Sequence, residues 1–177
     1  MMYFKTYKIK LLLLLFIVIV SGALVGCGYK FSGGGTMPSG TGMICISLFN
    51  NRTSEAMLEN TIVNALIYEF TRNGQKISKN KESADSIMAG EIKSVNSETV
   101  TQTESLTSIE SRVTVALSVL VKDQKGDVLW ENRNISDSEV YTVSSNNSSD
   151  SAAKKEALRK ISERISVKIY SGMTEDF

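Results

Sequence analysis

An α+β fold, with two helices on one face of an about four-stranded, antiparallel-rich mixed sheet in a two-layer sandwich, is what this 177-residue sequence predicts. Three observations carry that expectation. Val113, Val115, Leu117, Val119 and Val121 alternate with Thr114, Ala116 and Ser118, the period of a strand packed on one face. Two apolar stripes, Leu58, Ile62, Ala65, Leu66 with Phe70 and Leu158, Ile161, Ile165 with Ile169, recur at helical spacing. Finally "DQKGD", with Gly126 free to take positive φ, joins the alternating strand to "VLWENRNISDSEVY" as a hairpin.

The elements follow in order. Lys5, Lys8 and Lys10 precede "LLLLLFIVIV", an apolar core about half the roughly 20 residues that a bilayer-spanning helix needs, so residues 1–26 read as a signal peptide. "LVGC" at its end resembles a bacterial lipobox, and the resemblance implies a cut after Gly26, with Cys27 carrying the lipid anchor. Gly28, in place of an aspartate, resembles cargo sent to the outer membrane. Attachment through several acyl chains is effectively permanent, because each buried methylene adds about 0.8 kcal/mol.

Residues 27–42 read as a short Gly/Ser tether holding Pro38, the chain's one proline. Residues 43–177 read as one domain. In it "MICISLF" alternates as a strand and encloses Cys45, expected to be a buried, inert thiol. "NRTSE" supplies a turn and helix-cap residues, the first helix follows, and Gly74 is its expected stop. "ADSIMAGEIKSVNSETV" is a strand whose apolar residues change parity, with Gly90 as the expected bulge. After the hairpin, Ser149 or Asp150 should cap the last helix and Gly172 should end it. The helices cover one sheet face, leaving the other available.

Composition narrows the function. There is no histidine, which removes His-based triads and the usual zinc sets. Asp85, Glu91, Asp123, Asp127, Glu131, Asp137 and Glu139 fall at turns or exposed strand positions, where carboxylates are ordinarily solvated. Gly33 to Gly35 lack the lysine and Ser/Thr of a phosphate loop. No cofactor and no catalysis are expected. The formal charge of +1 falls to −2 once three lysines leave with the signal, so nucleic acid is not an expected partner. Trp130 either anchors an interface or, more simply, pins the hairpin.

Taken in order, "CGYKFSGG", "MICISLFNNRTSE", "LENTIVNALIYEFTRNG", "ADSIMAGEI" and "GDVLWENRNISDSEVY" resemble the LptE family of outer-membrane lipoproteins. The resemblance spans essentially the whole mature chain. It implies a domain that plugs the large β-barrel LptD, helps it assemble and binds lipopolysaccharide on its way to the cell surface. The loops "TQTESLTSIE" and "TVSSNNSSDS" contain no Lys or Arg, so the nearest basic candidates for lipopolysaccharide or partner contacts are Arg112, Arg133, Lys154 and Lys155. If the second loop enters the barrel, Ser145, Asn146 and Asn147 lie at the inserted end. "ADSIMAGEI" also fits CsgG-like and LpoB-like lipoproteins, which are secretion-pore subunits or peptidoglycan-synthase activators. The short tether and the lack of a spare membrane hairpin weigh against those two classes.

Overall fold

The computed structural model describes residues 37–39, 41–102, 109–143 and 147–175. Cys27, residues 1–26 expected as a signal peptide, Ser145 and Asn146 lie outside the described residues. The strands are β1 (Met43–Ile46), β2 (Asn50–Asn51), β3 (Lys76–Ser78), β4 (Ser86–Gln102), β5 (Ile109–Asp123) and β6 (Val128–Val143). Helix α1 (Leu58–Arg72) joins β2 to β3, and α2 (Asn147–Glu175) follows β6. The sheet order is β3-β1-β4-β5-β6, with β2 pairing beside β1 on β4. Pairs β1/β3, β1/β4 and β2/β4 are parallel, whereas β4, β5 and β6 form an antiparallel meander. The expected two-layer α+β arrangement is present, with two short strands added. "NN" and "KIS" are too brief to alternate; what makes them strands is their parallel partners.

The core lies between sheet and helices. Ile44, Met88, Ile92 and the β5 valines with Leu117 bury their side chains there against Leu58, Ile62, Leu66 and Phe70 of α1 and Ile161, Ile165, Ile169 and Met173 of α2. Ala65, counted in the α1 stripe, is half-buried. Cys45 is a buried free thiol.

The α1 C-terminus ends at Asn73, and Gly74 takes φ 81°. Gly74 N–H donates to Thr71 O at 3.0 Å and Gln75 N–H to Phe70 O at 2.9 Å, which satisfies two terminal carbonyls. The other end differs from expectation. No side chain caps α1; Met57 precedes it with φ 66°. Asn51 instead organises the turn, accepting from Thr53 N–H at 2.9 Å and donating to Glu55 O at 2.8 Å and Glu59 Oε2 at 2.7 Å.

Three further boundaries move. The parity change in β4 falls at Lys93, not Gly90: the register passes from Ile92 opposite Leu117 to Ser94 opposite Ala116, leaving Lys93 as the extra residue. Gly90 instead makes room for a ring, since a Cβ there would lie 2.2 Å from Phe49 Cε2. Helix α2 begins at Asn147, so Ser149 and Asp150 lie within its first turn, and it continues past Gly172 to Glu175. A Cβ on Gly172 would sit 3.3 Å from Trp130 Cζ2. Glycine at that point admits the buried indole, which fastens the β5–β6 hairpin to α2. The hairpin turn is as expected, with Gly126 at φ 94° and Asp123 Oδ1 accepting from Lys125 and Asp127 N–H, both at 2.9 Å.

Where the tether meets the domain, Met37 packs against the core and Thr41 is buried, its hydroxyl donating to Pro38 O at 2.7 Å. Gln75 amide donates to Gly42 O at 3.1 Å. Asp85 accepts from Met43 N–H at 2.6 Å, so the entry to β1 is held from both sides.

Candidate partner-binding surfaces

Strand alternation divides the four basic candidates between two surfaces. Lys154 and Lys155 stand in the early turns of α2, beside a cleft of about 810 Å³ between the starts of the two helices. Met57, Leu58, Ala152 and Leu158 give that cleft an apolar lining, and Arg159 adds a third cation, itself paired with Glu156 of the same lining and with Glu163. Lys154 pairs with Glu55, which clasps α2 to the turn ahead of α1. Arg112 and Arg133 lie on the opposite, helix-free face. Arg112 reaches Glu98 at 3.5 Å, and Arg133 makes two bonds to Glu131, at 2.7 and 3.2 Å. The Arg133 guanidinium holds the Glu131 carboxyl below its ordinary value, chiefly through that hydrogen bond. Lys93, the bulge residue, donates to Arg133 O at 2.7 Å.

The helix-free face is small and neutral at its middle. Register aligns Ser94, Ala116 and Ser136 in one row and Asn96, Thr114 and Ser138 in the next. Glu98 and Arg112 follow, beside Val140. Such a face suits close approach of another polypeptide and offers little charge to a phosphorylated lipid; the cleft at the helix starts sets three cations beside two carboxylates, Glu55 and Glu156. Among the described residues, no group of three or more Cys, Asp or Glu is placed to hold a metal ion.

A comparison with protein families decides the relationship: the family model described as LptE, lipopolysaccharide-assembly, matches residues 42–173. The chain belongs to the LptE family. That span takes in every strand and both helices except the last two residues of α2. No curated protein matches the chain. Among solved structures, a Xanthomonas campestris protein is similar at 10% identity with a TM-score of 0.53, covering 81% of this chain and 92% of that one. The likeness is one of fold. Lipoprotein B from Nitrosomonas europaea (18% identity, TM-score 0.47, 80% and 87% covered) and rare lipoprotein B from Shewanella oneidensis (12%, 0.47, 75% and 95%) are also similar.

Within this LptE-family domain, Asp137 and Glu139 are not the solvated strand carboxylates that their positions suggest. They point to the helix side, under the flank of α2. Arg164 bonds Asp137 at 2.8 Å and Glu139 at 2.9 Å, Lys168 bonds Asp137 at 2.7 Å, and Lys160 bonds Glu139 at 3.2 Å. Burial pushes the Asp137 carboxyl up, but the Arg164 and Lys168 bonds outweigh it and hold the group below its ordinary value. Arg164 and Lys168 also donate to the backbone carbonyls of Ser138 and Ser136, at 2.8 and 2.9 Å. Strand β6 is an edge strand, so these cations occupy carbonyls that another strand could otherwise use. The sequence does hold the signal: cations spaced by four on a helix, Lys160, Arg164 and Lys168, match acids spaced by two on a strand.

Proposed function

We propose that this protein is an outer-membrane lipoprotein, held on the periplasmic face by acylated Cys27, that seats in an LptD-type β-barrel and assists its assembly for lipopolysaccharide passage to the cell surface. The family match across residues 42–173 carries this reading, because it takes in nearly the whole two-layer domain. Met37 already packs against the core, so fewer than ten residues separate Cys27 from the domain, which suits work close to the membrane. The protein acts by shape in this reading, without a catalytic step. Lys154 and Lys155, beside an apolar cleft, are the assigned contacts for an anionic, acylated ligand, and Arg112 and Arg133 are assigned to the partner-facing side of the sheet.

The test is depletion of the protein in cells. The yield of correctly assembled barrel should drop and large antibiotics should enter; unchanged yield with unchanged sensitivity would overturn the reading. Cys27→Ala should leave the precursor unlipidated and unprocessed. Recovery of an acylated peptide that starts elsewhere in the wild type would refute the anchor.

A further inference from the structure

The sheet's edges are not treated alike. Strand β3 is three residues long and carries Lys76, so it offers little to pair with. Strand β6 is guarded by the α2 cations on Ser136 and Ser138. The third edge is the far half of β4. On the side away from β5, β4 is paired with β1 at Ser86–Met88 and with β2 at Glu91–Ile92, and no strand follows. From Ser94 to Gln102, nine residues span about 30 Å. Over that stretch the backbone groups facing away from β5 have no partner among the described residues.

Helix cover is also missing there: Asn96 to Val100 are exposed without interruption, on both faces of the strand. The segment contains no lysine and no proline, the usual guards of a free edge, and has a single irregularity between Thr99 and Thr101.

We propose that the open edge of β4 from Ser94 to Gln102 is a strand-addition site, which seats an extended segment of the partner protein and so continues the sheet by one strand. The proposal rests on the barrel-partner reading and adds where contact is made. The occupant is polypeptide, because an edge presents N–H donors and C=O acceptors in turn at strand spacing, which only another extended backbone matches. An anionic lipid would instead need cations, and this stretch has none. A second copy of this chain fits less well. An antiparallel self-pair that used the whole stretch would centre on Glu98 and set it directly opposite its own copy, a destabilising like-charge pair. Glu98 side chain is 68% exposed and, among the described residues, its ion pair is the 3.5 Å contact to Arg112, so an incoming strand with a neutral or basic residue at that position is the complementary one.

The experiment is site-specific photo-crosslinking in cells, using full-length lipidated protein with a photoreactive residue at Asn96, Glu98 or Val100, and at Lys79, Val128 or Tyr68, all exposed, for comparison. The β4 positions should crosslink the barrel protein severalfold more strongly than Lys79 and Val128 do. Barrel crosslinks at Tyr68 with none at β4 would overturn the strand-addition site while leaving the barrel partnership standing. Absence of barrel crosslinks at every position would sink both. Homodimer bands or lipopolysaccharide adducts at β4 would replace the proposed occupant and so refute it. In parallel, Asn96→Lys/Val100→Lys should reduce co-purified barrel severalfold with unchanged thermal unfolding; undiminished barrel would count against the site.

Discussion

Gly90 and Phe49 show what one residue can hide. An alanine at position 90 would place its methyl carbon 2.2–2.4 Å from three atoms of a ring that is 3% exposed, so the ring must move into a filled core. Overpacking of this kind costs about 1–3 kcal/mol. Gly90→Ala should therefore lower the urea midpoint, and Phe49→Leu combined with it should cost less than the two changes added, since both act on the same space. Additive costs would show that the ring is not the obstacle. The glycine and the parity change were both legible in the sequence, yet they pointed to a bulge at the wrong residue. Pattern alone does not report that Phe49 arrives from an earlier loop. Trp130 is the same lesson at Gly172: a glycine far along the chain reads as a helix stop, although it is a seat for an aromatic from another element.

Helix α2 was legible in its stripe and not in its ends. Leu158, Ile161, Ile165 and Ile169 are buried as their spacing requires, with the last three fully so. Ile165→Ala should cost about 2–5 kcal/mol in urea unfolding, and an unchanged midpoint would contradict the packing. Near its ends α2 meets Trp130 at Gly172 and Glu55 at Lys154, and neither contact is visible in local propensity. The charged flank gives a pH test. Asp137 lies below its ordinary value, so its contribution is complete above the unfolded carboxyl value near pH 4 and is lost as pH falls through the lower folded value. The wild-type urea midpoint should thus fall more steeply below about pH 4 than that of Asp137→Asn, which forgoes the linkage. At neutral pH the substitution should cost about 1–2 kcal/mol, toward the surface-pair range because Arg164 and Lys168 are half-exposed. Parallel pH profiles for the two proteins would refute the network's contribution.

At the scale of the whole molecule, the meander was legible because β4, β5 and β6 pair with their neighbours in sequence, and alternation plus one turn signal specifies that arrangement. The parallel part was not, since β1 lies between β3 and β4, and both come later in the chain. This placement has a consequence for the order of folding. Synthesis from the N-terminus presents β1 before either of its sheet neighbours exists, whereas β4, β5, β6 and α2 are contiguous and close only short loops. Pulse-labelled hydrogen exchange during refolding should find amides of the meander protected before those of Ile44 and Cys45, and simultaneous protection would argue for a single nucleus. The first long-range strand of the domain is then the last to be locked in, and until that moment a slot one strand wide, between β3 and β4, is open to any other extended chain, which makes the arrival of β1 the step most exposed to mispairing.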